Sequence, residues 1–166
     1  MKTISEVLTL GSKPAILLAE DDPDQSDALR EVLESEGYAV ETVFSGDVAL
    51  RRLSSNSFTA AIMDARMPGL HGGTVLKVCR VRDPQICTPI IMVSAFASPR
   101  DLDQYKKDGA VASFTKPLEM SEILKCVRQL VDKPGDNSEK PKCGCGKGGC
   151  DQNGVAFCAH ENMVKV

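Results

Sequence analysis

The 166-residue sequence predicts an α/β protein, a (βα)5 doubly wound parallel five-stranded sheet, followed by a linker and a short cysteine-rich tail. Three observations lead there. Short apolar runs of strand length alternate five times with segments of helical periodicity. Successive parallel strands need a crossover, and helices serving as crossovers cover both faces of the sheet. Gly37 and Gly109 stand where a helix should stop and the next strand begin.

The first unit opens with AILLA at 15–19, and the segment starting at Pro23 spaces Ala28, Leu29, Val32 and Leu33 as a helix. A strand at 38–44 precedes a helix at 46–54, and FTAAIM at 58–63 precedes a helix from 72 to 81. PIIMVS at 89–94 leads to a helix at 99–107, and a short strand at 111–114 leads to the helix LEMSEILKCVRQLV at 118–131. Beyond Val131 the sequence turns to DKPGDNSEKPK, with two prolines and no apolar period, so a domain at 14–132 is followed by a flexible linker at 133–142. The tail at 143–166 is rich in Gly and Cys and has too few apolar side chains to form a core of its own.

Composition narrows the function. Aromatics are 4% with no Trp, which disfavours base-stacking platforms, and a net charge of -3 disfavours a dedicated nucleic-acid binder. Glu6 interrupts the only apolar stretch of the N-terminus, and no run approaches the roughly 18 apolar residues of a membrane span, so a cytoplasmic protein without membrane contact is expected. In a reducing compartment, clustered thiols point to metal or redox chemistry rather than structural disulfides.

In an open parallel sheet the crevice lies beyond the carboxyl ends of the strands, and four strand ends carry chemistry. The first strand ends in Glu20, Asp21 and Asp22, the third in Asp64, the fourth in Ser94, and the fifth runs into Lys116 and Pro117. Asp22 reads best as a helix cap. The other carboxylates would repel one another unless a cation joined them, and hard oxygen ligands suit Mg²⁺. A carboxylate can accept a phosphoryl group, which an ammonium and a hydroxyl would then neutralise and hydrogen-bond.

The motifs ILLAEDDPDQ, IMDARMPGLHGG, IIMVSA and FTKPL resemble the receiver domain of two-component response regulators, over residues 14–132. The resemblance implies a CheY-like, flavodoxin-like fold with Asp64 as phosphoacceptor, Glu20 and Asp21 as the acidic pair, and Asp21 as the direct Mg²⁺ ligand. It also implies a metal contact from the Arg66 backbone carbonyl, Ser94 as switch hydroxyl, Lys116 as the family's lysine, and a cis bond before Pro117. The partners implied are a sensor histidine kinase or phosphotransfer protein and a downstream protein target, with no DNA-binding domain in this sequence. Such a protein is a phosphoacceptor and not an enzyme in the ordinary sense. Aspartate-nucleophile phosphatases, a competing class, resemble D-x-D, whereas Arg66 holds the second position here.

Two departures from the family stand out. Ser113 occupies the place, three residues before the lysine, where the family usually has an aromatic, with Phe114 on the opposite face of the strand. Arg66 and Phe96 occupy the positions two residues after the acceptor and two after the hydroxyl, where bulk would restrict an attacking water.

Outside the motifs, Cys143, Cys145, Cys150, Cys158 and His160 are compact enough to be candidate Zn²⁺ ligands, and a thiol-redox switch or idle thiols are the other readings. A metal-binding or redox adaptor that uses the receiver as a docking platform is therefore the alternative function. Cys79, Cys87 and Cys126 read as small buried apolar residues, His71 as a helix cap, and Lys77, Arg80, Arg82, Lys106 and Lys107 as solvated helix faces.

Overall fold

The computed structural model describes residues 13–55, 58–83, 86 and 88–131. The tail residues Cys143, Cys145, Cys150, Cys158 and His160, the 133–142 linker and Cys87 lie outside the described residues. Five parallel strands, β1 (Ala15–Ala19), β2 (Ala39–Val43), β3 (Ala60–Asp64), β4 (Ile90–Ser94) and β5 (Ala112–Thr115), form one sheet in the order β2-β1-β3-β4-β5. The helices are α1 (Pro23–Ser35), α2 (Gly46–Ser55), α3 (Gly72–Lys77, continued by a π-helical turn, Val78–Arg82), α4 (Pro99–Lys107) and α5 (Met120–Val131). This is the doubly wound, flavodoxin-like (βα)5 arrangement that the sequence predicts.

Alternate residues of each central strand enter opposite cores, as the two-residue strand period demands. Ile16, Leu18, Ile62, Ile91 and Val93 pack with Leu29 and Leu33 of α1 and with Ile123 and Val127 of α5. Leu17, Ala19, Ala61, Met63, Ile90 and Met92 pack with Ala49 and Leu53 of α2 and with Val75, Leu76 and Cys79 of α3 and its π-turn. The strands β3 and β4, internal to the sheet, are buried along their whole length between the two cores. Helix α4 is different: none of its residues is fully buried.

Helix ends follow local chemistry. The Asp22 carboxylate accepts from Asp24 N at 3.0 Å and caps α1, as expected. Ser98 and Asp101 form a reciprocal capping box on α4. Gly37 and Gly109 take φ of 91° and 102° after α1 and α4. His71 stands at the start of α3, but its side chain makes no capping hydrogen bond. The expectation for it is corrected to that extent: an imidazole is a poorer match than Asp or Ser to the amides of a first turn.

The helix expected over 72–81 loses α geometry after Lys77, where Asp83 N donates to Val78 O at 3.0 Å across a wider turn. That turn seats Cys79 in the core, where burial pushes its thiol up to about 11. It also overturns the reading of Arg80 as a solvated residue. The Arg80 guanidinium donates to Ile86 O at 2.9 Å, Thr88 O at 2.9 Å and Gly109 O at 3.2 Å, tying the approach to β4 to the α4–β5 turn. Periodicity could not reveal this, because the acceptors are backbone carbonyls, which carry no residue signature.

Arg80→Ala leaves three carbonyls to water, and at a typical worth for hydrogen bonds to a charged group it should cost about 2–4 kcal/mol. Arg80→Lys should recover only a minority of that, since one ammonium does not span the three acceptors. Urea unfolding measures both, and an Arg80→Ala protein within about 0.5 kcal/mol of wild type would contradict the clamp.

Candidate functional site

The site is built by the strand register. Pairing of β1 with β3, β3 with β4 and β4 with β5 brings the ends Ala19, Asp64, Ser94 and Thr115 to one edge of the sheet. The residues that follow β1, β3 and β5 are held by backbone bonds: Glu20 N to Val43 O at 3.1 Å, Ala65 N to Val93 O at 2.7 Å and Lys116 N to Ser94 O at 2.9 Å. The β3–α3 loop then folds back, with Gly72 N on Ala65 O at 3.1 Å. Only glycine fits that return, because a Cβ on Gly72 would lie 2.1 Å from the Asp64 carbonyl oxygen.

Glu20, Asp64 and Ser94 are 5%, 5% and 3% exposed, while Asp21 faces solvent. Glu20, Asp21 and Asp64 each place a carboxylate oxygen within 4.8 Å of the others. Lys116 spans the buried pair: its ammonium donates to Glu20 Oε2 at 2.7 Å and to Asp64 Oδ2. The second Asp64 oxygen accepts from the Arg66 backbone N–H at 2.6 Å. The Lys116–Pro117 peptide is cis, as the family resemblance implied.

Electrostatics follow from burial. Desolvation raises the Glu20 carboxyl above its ordinary value despite the hydrogen bond and attraction of Lys116, and the nearby Asp64 charge adds to the rise. The remaining oxygen, Oε1, is buried without a hydrogen-bond partner. Burial alone would lower Lys116. The hydrogen bonds to Asp64 and Glu20 outweigh it and hold the ammonium charged above the usual lysine range. An orphaned carboxylate oxygen beside two further carboxylates is an arrangement of hard oxygen donors that fits a divalent cation such as Mg²⁺.

Around this centre the two departures from the family take shape. Arg66 lies over Phe96, with its guanidinium carbon 4.9 Å from the ring centroid, and Phe96 is 74% exposed. Ser113 points to α4, its hydroxyl donating to Leu102 O at 3.1 Å, whereas Phe114 packs into the opposite core with α1 and α5. The stacking of Arg66 on Phe96 was not visible in sequence, although both positions were.

A family model for the response regulator receiver domain matches residues 16–128. The chain belongs to this family. It is 31% identical over 116 residues to the transcriptional regulatory protein TcrA of Mycobacterium tuberculosis, covering 69% of this chain and 45% of that protein. It is 36% identical over 118 residues to the response regulator RppA of Synechocystis, covering 69% of this chain and 49% of that one. The chain thus matches about half the length of these relatives. Among solved structures, a Francisella response regulator receiver domain is similar with a TM-score of 0.67 and 30% identity, covering 71% of this chain and 96% of that one. The receiver domain of the Pseudomonas aeruginosa sensor histidine kinase PA1611, with a magnesium ion coordinated in its active-site cleft, is similar with a TM-score of 0.65 and 28% identity, over 72% and 98% of the two chains. Receivers are signalling domains that accept phosphoryl groups from histidine kinases, with an acidic pocket for Mg²⁺ and a phosphorylated aspartate typical of the family. Among the described residues no helix is long and apolar enough to cross a membrane.

The raised Glu20 carboxyl sets a pH dependence. A folded value above the unfolded one means the native state binds the proton more tightly, so stability falls as pH rises from about 4.5 through the folded value. Glu20→Gln has no such loss. In divalent-free buffer its stability relative to wild type should therefore increase from pH 4.5 to pH 7, as read by urea unfolding, and a difference that stays constant would contradict the assignment.

Proposed function

We propose that this receiver takes a phosphoryl group on Asp64 from the phosphohistidine of a sensor kinase or phosphotransfer protein, in the cytoplasm, and signals by contact with a downstream protein. The observation that carries this is the Lys116 ammonium donating to both buried carboxylates at the convergence of four strand ends. An Asp64 oxygen forms the new O–P bond while the N–P bond of the donor breaks and its electron pair returns to the imidazole. Lys116, already on Asp64 Oδ2, would offset the charge of the transferred group, and Ser94 would donate its hydroxyl to a phosphoryl oxygen. The Arg66 N–H fixes the rotation of the Asp64 carboxylate.

Glu20, Asp21, Asp64 and the Arg66 backbone carbonyl are the proposed holders of Mg²⁺, which when bound supplies positive charge opposite the phosphoryl oxygens. The burial of Glu20 Oε1 without a partner and the magnesium of the PA1611 receiver support that reading. Ser113 leaves no aromatic ring to follow Ser94 when it moves, so its hydrogen bond to Leu102 is the proposed tie between β5 and α4 during switching.

Incubation with acetyl phosphate and Mg²⁺ should give a hydroxylamine-sensitive label that Asp64→Ala abolishes. A hydroxylamine-insensitive label, or unchanged labelling of Asp64→Ala, would contradict the phosphoacceptor role. The Arg66–Phe96 stack, worth about 0.5–1 kcal/mol as an exposed cation–π pair, is proposed to screen the phosphoryl group from water. Phe96→Ala should then speed loss of the label about 2- to 5-fold, and an unchanged or slower decay would argue against the screen.

A further inference from the structure

We propose that the cleft between the β3–α3 loop, α3 and α4 is a second binding site, for a small-molecule anion bearing phosphate or carboxylate oxygens. The cleft measures about 560 Å³, within the range that holds small ligands. Arg66, His71, Thr74, Lys77 and Tyr105 line it, hydrogen-bonding side chains from three stretches of chain, and no carboxylate does.

The carboxylates nearby are engaged elsewhere. Asp64 accepts from Lys116 and the Arg66 N–H, and Asp101 closes the capping box with Ser98. Asp108 accepts from Gln104 at 2.8 Å and pairs with Lys77 at 3.4 Å, so Lys77 alone of the lining cations shares its charge with a carboxylate. Among the described residues no carboxylate pairs with Arg66 or His71. A cleft whose planar guanidinium, imidazole and hydroxyls lack internal acceptors suits an anion with several oxygens, which charge-assisted hydrogen bonds would hold.

The position of the cleft gives binding there a consequence. Ala65 and Arg66 follow the phosphoacceptor directly, and Tyr105 belongs to α4, the helix with no fully buried residue. Tyr105 also lies against α3 at Gly73, where an added Cβ would come within 3.3 Å of the ring. An anion seated in the cleft therefore touches both the loop that follows Asp64 and the least anchored helix.

The test uses the full chain in divalent-free buffer, titrated separately with inorganic phosphate and with citrate against sodium chloride of equal ionic strength, with amide chemical shifts as the readout. The expected result is saturable shifts at Arg66, Thr74, Lys77 and Tyr105 that chloride does not reproduce. In the His71→Gln/Lys77→Gln double variant, both of whose positions are exposed, the same titration should show at least about fivefold weaker binding, with the remaining spectrum superimposing on wild type. Shifts that grow without saturating, match those of chloride, keep their affinity in the double variant, or centre on Ser94 and Lys116 would overturn the proposal.

Discussion

A single ammonium reconciles two buried carboxylates that would otherwise repel one another at the edge of the sheet. Lys116 reaches Glu20 and Asp64 from the far strand, β5, across β4 and β3, so the charge balance of the site depends on the register of the whole sheet. A slip of one residue in β5 would turn the strand over and remove the cation from the crevice. The balance is incomplete, because the site holds three carboxylates against one ammonium and one Glu20 oxygen has no partner. That residual negative charge, which reaches solvent at Asp21, suits the crevice to a divalent cation.

The rest of the fold divides into parts that hold this geometry and parts that can respond to it. Strands β3 and β4 are buried throughout, and α1, α2, α3 and α5 each send side chains into a core. Helix α4 sends none to full burial and is tied to the rest of the fold by Tyr105 and by the Ser113 hydroxyl on Leu102. Elements with little buried apolar area are those that open or shift at least cost. The Arg80 clamp lies at the opposite end of β4 from the site and fixes the base of the same region, so motion of α4 would pivot above an anchored α4–β5 turn.

Most of this was legible in the sequence because buried parallel strands and their terminal residues leave strong local signals. The strand ends Glu20, Asp21, Asp64, Ser94 and Lys116 were readable in order, and their convergence follows from topology alone. Boundaries moved by one or two residues where a strand ends on backbone bonds rather than on a residue type, as at Thr59, whose N–H bonds Ala15 O at 2.8 Å just outside β3. What escaped were contacts between residues distant in sequence or with backbone acceptors. Arg80 looked solvated because an arginine at that spacing usually is, and the Arg66–Phe96 stack joins two loops that no periodic pattern links. The cleft beside them is likewise a product of packing, since its lining comes from a loop and two helices.

The central claim, that the carboxylate cluster is poised for a divalent cation, is tested most directly by the thermal unfolding midpoint of the full chain with and without Mg²⁺. A ligand that binds only the folded state must raise the midpoint. Millimolar Mg²⁺ should raise it by a few degrees in wild type and by less than half as much in Asp21→Asn, which removes the solvent-facing carboxylate of the cluster. A wild-type midpoint that Mg²⁺ leaves unmoved, or an equal rise in Asp21→Asn, would contradict it.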